Sequence, residues 1–396
     1  MTKSVYLKTT CAGFLLGLSL PVVIYLFYQS SENERFLLPQ PSVVEGTTSR
    51  QSSVKKTSSA VMQKDEYEAS SILSKGDDNL FMAEQERKVS IKNPTDGLTS
   101  CQKNSDRATA RRLNCRQRLP NVIGLGVQKC GTGALAFFLA SHPNIAHAKP
   151  AEIHFWTRYP DRGLGWYKKQ MPISSKYQLT MEKSPSYWGV EGVPQMMKRK
   201  MPPETKFIVA IRDPVIRAVS GYLHELQKSR FISKKRARAS RFIDRPIQPG
   251  KPVKVHAFLN DTFESTVIRP DGKLMYYNSI IDRGIYVKRF RDWLSVFPRD
   301  HFLVVDGSEL TANPLSVLQE VEEFLELPKY FDESKVYFNA SKGFYCLRDE
   351  KKECMGQGKG RTHPKMSAEL EQRLREFYHP YNLEMEKLVG RKFSWA

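Results

Sequence analysis

The segment from Gly126 to Gly133 reads Gly-Val-Gln-Lys-Cys-Gly-Thr-Gly and emerges from an apolar run, Asn121 to Val127, with the character of a buried strand. Small residues let backbone N–H groups close on an anion, a helix starting near Thr132 adds its positive end, and Lys129 supplies a full charge. The spacing departs from the nucleotide triphosphatase loop, which needs Gly-Lys-Ser/Thr at its end. Here Gly131 is followed by Thr132 and the lysine lies inside the loop, so a conventional ATPase or GTPase is disfavoured. A second apolar run, Lys206 to Ile211, leads directly into Arg212, with Ser220 eight residues later on a helical stretch. Both reach the carboxyl edge of a parallel sheet, where a second phosphate would lie.

A carboxylate beside a bound hydroxyl is a suitable general base. Glu152 in Ala-Glu-Ile-His-Phe-Trp offers one, and His154 faces the same side if the segment is extended. Lys183, in Met-Glu-Lys-Ser-Pro-Ser-Tyr-Trp, follows a predicted strand. No His, Cys or Asp grouping has convincing metal-site spacing, so no metal is expected.

Such residues need a scaffold that brings several strand ends to one edge. From Pro120 onward short apolar runs alternate with amphipathic stretches, the pattern of a parallel α/β sheet. Strands are predicted at 121–127, 206–211 and 302–305, and helices at 132–140, 215–227 and 315–327. Leu370, Leu374, Phe377 and Tyr378 share one face of a C-terminal helical stretch that is expected to cover the sheet. Residues 30–118, rich in Ser, Thr, Lys, Glu and Gln without sustained periodicity, read as a largely disordered stem. Ahead of it, Thr9 to Ser30 carries no charge, and about 20 apolar residues suffice to cross a bilayer. The run ends in bulky residues and not in a small-residue cleavage site, which favours an uncleaved anchor over a signal peptide. Lys3 and Lys8 on the short side leave the N-terminus cytosolic. The expected order is a cytosolic tail (1–8), a transmembrane signal anchor (9–29), a luminal stem (30–118) and a catalytic domain (119–396).

The 396 residues carry 62 Lys and Arg against 42 Asp and Glu, a formal charge of +20, with 40% apolar and 26% charged residues. That composition excludes a fully disordered, collagen-like or multi-span membrane protein. The charge calls for a polyanionic partner, which by itself leaves nucleic acid, a membrane surface or an acidic polysaccharide. A luminal domain removes nucleic acid. Cys346 and Cys354 lie close together in a loop-like segment and read as a disulfide, Cys101 and Cys115 are available to pair, and Cys130 is left free. Asn260-Asp261-Thr262 and Asn339-Ala340-Ser341 are glycosylation sequons.

Taken in order, IGLGVQKCGTGAL, HPNIAHAKPAEIHFW, GLGWY, MEKSPSYW, IRDPVIRAVSGY, VYFNASKGFYCLRD, GKGRTHP and LVGRKFSW resemble the heparan sulfate glucosaminyl 3-O-sulfotransferases of the Golgi, from about Pro120 to Trp395. The resemblance implies a three-layer, P-loop-like α/β sulfotransferase fold around a parallel sheet. It implies 3′-phosphoadenylyl sulfate as donor, heparan sulfate as acceptor and a single-pass Golgi membrane location. Lys129, Cys130, Gly131, Thr132 and Gly133 would hold the donor's 5′-phosphosulfate, with Lys129 neutralising the departing oxygen. Arg212 and Ser220 would hold the 3′-phosphate, and Lys359, Gly360, Arg361, Thr362 and His363 would close over the donor. Glu152 would be the base, helped by His154, and Lys183 would stabilise the moving sulfuryl group. Ser184, Pro185, Ser186, Thr157, His224 and Ser279 would border the acceptor.

The chain departs from the family pattern on the acceptor side. Gly133 stands where the family has arginine, Cys130 where it has glycine, Thr157 where it has aspartate and His224 where it often has glutamine. These leave two other readings beside 3-O-sulfation: sulfation at another position, such as the glucosamine nitrogen, or a weakly active polysaccharide-binding protein. Lys228 to Lys254 is an insertion with ten Lys and Arg against one Asp, net +9, and is expected to grip the sulfated chain.

Overall fold

The computed structural model describes residues 100–101, 106–149, 152–238, 259–348, 354–355 and 366–396. The tail, the anchor and most of the stem lie outside the described residues, as do 239–254 of the insertion and Lys359 to His363. Among the described residues no helix is long and apolar enough to cross a membrane.

The elements follow as α1 (Arg107–Arg112), β1 (Arg116–Gln117), β2 (Val122–Gly126), α2 (Thr132–Leu139), β3 (Ile145–His147), α3 (Phe155–Arg158), α4 (Gly163–Lys169), β4 (Ile173–Ser174), β5 (Leu179–Lys183), α5 (Val193–Lys200), β6 (Lys206–Ile211) and α6 (Pro214–Arg238). Then come α7 (Phe263–Val267), α8 (Ser279–Asp282), α9 (Tyr286–Leu294), β7 (Phe302–Asp306), α10 (Gly307–Ala312), α11 (Pro314–Phe324), β8 (Val336–Asn339), β9 (Phe344–Leu347) and α12 (Ala368–Val389). Five strands form one sheet in the order β3-β5-β2-β6-β7, and every pair in it is parallel. Strands covered on both faces read as continuous apolar runs. That is why Lys206 to Ile211, buried from Phe207 onward, was legible without alternation.

The chain leaves β2 toward one side of the sheet and returns through β6 to the other. The carboxyl end of β2 is therefore a topological switch point, the place where open α/β sheets hold their ligands. Aromatic side chains fill the layer beside β6 and β7, with Phe207 stacked on Phe302 at 5.1 Å between ring centroids. On α12, Leu370, Leu374 and Tyr378 are buried as expected, with Phe377 only partly so.

Residues 100–101 and 106–118 carry described structure within the stretch read as a largely disordered stem. Asp106 caps α1 by accepting from the Thr109 amide at 2.8 Å, Leu113 is fully buried, and β1 pairs antiparallel with β4. A disulfide joins Cys101 to Cys115. The cap, the buried leucine, the strand pairing and the crosslink together hold this segment, and none alters a composition dominated by charge.

Candidate active site

The loop after β2 is built by close backbone approach. Gly124 pairs with Lys183 across β2 and β5, and a Cβ at Gly124 would lie 2.7 Å from the Lys183 Cγ. Only glycine there lets the lysine stem cross the sheet. The loop's left-handed turns fall at Lys129 (φ 75°) and Gly131 (φ 88°), so Cys130 takes the family's glycine position without needing positive φ. Gly131 opens α2 with the first amides of that helix facing the loop.

Cys130 is free, and its Sγ lies 3.5 Å from the Tyr286 hydroxyl. Burial pushes the thiol up to about 11, which keeps it a packing group. The side chain is fully buried.

Those cations converge from several elements. Arg212 donates to the Lys129 carbonyl at 3.5 Å, and Tyr286 donates to the Arg212 carbonyl at 2.7 Å. Arg283, just past α8, donates to the Gln128 side chain at 2.6 Å. Burial and then the charge of Arg217 lower the Arg283 pKa. Arg217, buried on α6, donates to the Ile280 carbonyl. The Nε atoms of Arg212 and Arg217 are buried without hydrogen-bond partners. Donors left open among like charges fit an anionic ligand. Ser220 lies on α6 and is partly exposed.

Across the β2–β5 seam lies the second cluster. Lys183 Nζ meets Glu152 Oε1 at 2.6 Å, and His154 Nε2 meets Glu152 Oε2 at 3.2 Å. His154 Nδ1 is 2.8 Å from Ser186 Oγ, which is 3.0 Å from Thr157 Oγ1. Burial pushes the Glu152 carboxyl up, but the hydrogen bonds from His154 and Lys183 and the Lys183 charge outweigh it and hold it at about 2. Glu152 is 40% exposed, so it remains open to a substrate.

Two expectations need correction. His154 does not sit on an extended segment: its φ is 57°, and it caps α3. It meets Glu152 because the chain turns back there, not through strand alternation. Lys183 ends β5 rather than following it.

Ser184 and Pro185 are buried beside this cluster, and Ser186 is in contact with it. His224 lies on α6, and Ser279 opens α8. Gly133 lies in the first turn of α2. Cys346 and Cys354 form the expected disulfide. Asn260 is exposed, and Asn339 ends β8. Among the described residues no group of His, Cys, Asp or Glu is arranged to hold a metal.

Sequence reasoning missed Arg283, Gly307 and Glu182. Gly307 opens α10, where an added Cβ would lie 2.2 Å from the Cys130 carbonyl oxygen. A cavity of about 230 Å³ lined by Asp213, Arg375, Tyr378, His379, Asn382 and Trp395 contains none of the Glu152 cluster.

A sulfotransferase domain profile matches residues 119–391. Heparan sulfate glucosamine 3-O-sulfotransferase 3B1 from Homo sapiens is 38% identical over 285 residues, covering 70% of this chain and 65% of that protein. The alignment thus spans slightly less than two thirds of that relative. Heparan sulfate glucosamine 3-O-sulfotransferase 6 from Homo sapiens is 36% identical over 286 residues, covering 71% of this chain and 75% of that protein. Among solved structures, a sulfotransferase from Alicyclobacillus acidocaldarius aligns with a TM-score of 0.47 at 22% identity, covering 70% of this chain and 98% of that one.

Proposed function

The chain belongs to the sulfotransferase domain family, and from that premise we propose that it transfers a sulfuryl group from 3′-phosphoadenylyl sulfate to the 3-hydroxyl of glucosamine in heparan sulfate. The observation that carries the reading is the Glu152, Lys183 and His154 cluster standing one strand from a phosphate-binding loop. Lys129, Gly131 and Thr132 hold the donor's 5′ end and Arg212 and Ser220 its 3′-phosphate, while Lys359 to His363, outside the described residues, are assigned to the donor on the resemblance alone. Glu152 takes the hydroxyl proton. Lys183 stabilises charge on the sulfuryl group as the acceptor oxygen attacks in line. Labelled donor incubated with defined heparan oligosaccharides tests this: label on glucosamine O3 is expected. Label on nitrogen or another hydroxyl would give the position to one of the other readings, and binding without transfer would leave only a polysaccharide-binding protein.

In the resting geometry Glu152 is a weak base because Lys183 and His154 both favour its ionised form. Proton uptake therefore follows the turning of Lys183 from Glu152 toward the sulfuryl group. The sign of the pH effect follows from the depressed carboxyl. The pairing contributes stability above the unfolded carboxylate pKa of about 4.3, and this is lost as pH falls through about 2. The Glu152 carboxyl signal in an NMR titration is expected to stay flat from about pH 7 to about pH 4. In Lys183→Met the lysine's hydrogen bond and charge are lost while the His154 hydrogen bond remains, and the midpoint rises toward the ordinary carboxylate range.

We read the uncharged run from Thr9 to Ser30 as a Golgi membrane anchor that leaves the catalytic domain luminal. Two disulfides in the described chain agree with an oxidising compartment. The exposed Asn260 suits glycosylation there, and we assign the same role to Asn339. The net +9 insertion is read as a grip on the sulfated chain. Deleting Arg230 to Lys251 is expected to raise the acceptor KM and to flatten its dependence on salt. Unchanged values for both would remove the insertion from acceptor binding.

A further inference from the structure

Beneath the reacting groups lies a carboxylate with no direct part in the reaction. Glu182, on β5, has 0% of its surface exposed. Its Oε1 accepts from the Tyr167 hydroxyl at 2.8 Å, and its Oε2 accepts from Ser184 Oγ at 2.9 Å. Ser184 Oγ in turn accepts from two backbone amides, Ile153 at 3.1 Å and His154 at 2.9 Å. A serine hydroxyl has one proton to give and two lone pairs to receive, so all three of its capacities are used. The two amides it holds belong to the residues immediately after Glu152. One of them is His154, whose left-handed φ of 57° persists only where the surroundings over-determine it. Tyr167 is tied to the same place from the other side, its ring stacked on Phe155 at 4.5 Å between centroids.

Resting on the sulfotransferase reading above, we propose that Glu182 is a positioning residue for the base: through Ser184 it fixes the backbone at Ile153 and His154 and so the direction of the Glu152 carboxylate. The requirement is for two acceptor oxygens. A glutamine has the same shape but must turn its amide NH₂ toward either Ser184 or Tyr167. Facing Ser184, it meets a hydroxyl with no lone pair left, and the serine can accept the new bond only by releasing Ile153 or His154. Facing Tyr167, it meets a hydroxyl whose proton then needs another acceptor. In the first orientation a bond to the Glu152 turn is lost; in the second Ser184 keeps its bonds but the buried Tyr167 proton is left unpaired, which loosens the Tyr167–Phe155 side of the turn.

The test compares Glu182→Gln, Ser184→Ala and the double variant, with rates expressed per folded molecule. The expected result is a fall in kcat of about 10²-fold, the cost of misplacing a reacting group by about 1 Å. Donor KM should change less than about two-fold, and the double variant should lose no more than either single one, since both break the same chain. Wild-type kcat in Glu182→Gln, or losses that multiply in the double variant, would overturn the proposal. Tyr167→Phe removes one bond and keeps the ring, and a smaller loss in kcat at constant donor KM is expected even if Glu182→Gln fails to fold. A kcat unchanged in Tyr167→Phe would count against the proposal. Amide hydrogen exchange at Ile153 and His154 needs no substrate: both should be protected in the parent and exchange faster in Glu182→Gln. Unchanged protection sinks the proposal whatever the acceptor is. A parent enzyme that transfers nothing to heparan sulfate, with exchange behaving as expected, would sink the assigned reaction and leave the positioning role standing.

Discussion

Replacing Glu152 with glutamine is expected to lower kcat by about 10²- to 10⁴-fold, the range for loss of a positioned general base, while donor binding stays near the parent value. Glutamine keeps the shape and one carbonyl oxygen but cannot take a proton from the acceptor hydroxyl. Donor binding is spared because the phosphate loop is held by other contacts, Arg212 on the Lys129 carbonyl and Arg283 on Gln128. Lys183 exchanges a carboxylate partner at 2.6 Å for a neutral amide oxygen, a change away from the loop after β2. The measurement is single-turnover transfer beside donor binding by calorimetry. Full transfer in the variant would remove Glu152 from the chemistry.

Gly307→Ala is expected to be nearly as damaging without touching a reacting group. The new Cβ would lie 2.2 Å from the Cys130 carbonyl oxygen, 3.0 Å from its carbon and 3.2 Å from the Ile211 carbonyl oxygen. These are backbone atoms, so no rotamer change relieves the contact. The phosphate loop or the start of α10 has to move. Asp306, which caps α10 by accepting from the Ser308 amide at 2.7 Å and also accepts from the Trp395 indole at 2.9 Å, resists movement on that side. The strain therefore falls on Cys130 and its neighbour Lys129. Overpacking of this kind costs about 1–3 kcal/mol, and a loop displaced by about 1 Å costs about 10²-fold in rate. Thermal unfolding and kcat/KM for the donor check the two parts separately. An alanine variant with parent stability and kcat/KM would show that the loop tolerates the shift.

Much of this arrangement was legible from local chemistry. The β6 strand was read as 206–211 because a parallel strand buried on both faces is an unbroken apolar run, and Arg212 then falls at its carboxyl edge. Residue size and charge at Lys129, Gly131 and Thr132 suggest an anion loop, and the fold puts that segment at the carboxyl end of β2 with Gly131 capping α2. The features that escaped are those where two distant stretches meet. Nothing in the sequence around Gly307 says that the Cys130 carbonyl will rest on it. Arg283 reads as one more charge in a basic chain until the fold brings it to Gln128. His154 was placed beside Glu152 by assuming an extended segment, and the contact forms through a left-handed turn that a non-glycine residue discloses only in three dimensions. Glu182 was hidden by its strand, since every residue of β5 is buried and alternation cannot separate a packed face from one carrying a hydrogen-bond chain.

If the acceptor is the polyanion proposed above, the ion pair at the centre of the site also bears on how it arrives. Glu152 faces Lys183 and, when protonated, His154, so the charges around the reacting hydroxyl largely cancel before the acceptor comes near. Attraction over distance must then come from basic surface away from the reaction centre, acting as electrostatic steering on the encounter rather than on the bound complex. Exposed charges are screened beyond about 10 Å at 0.1 M salt. Added salt should therefore slow capture of the chain, and acceptor kcat/KM would fall, while turnover at saturating acceptor stays nearly constant.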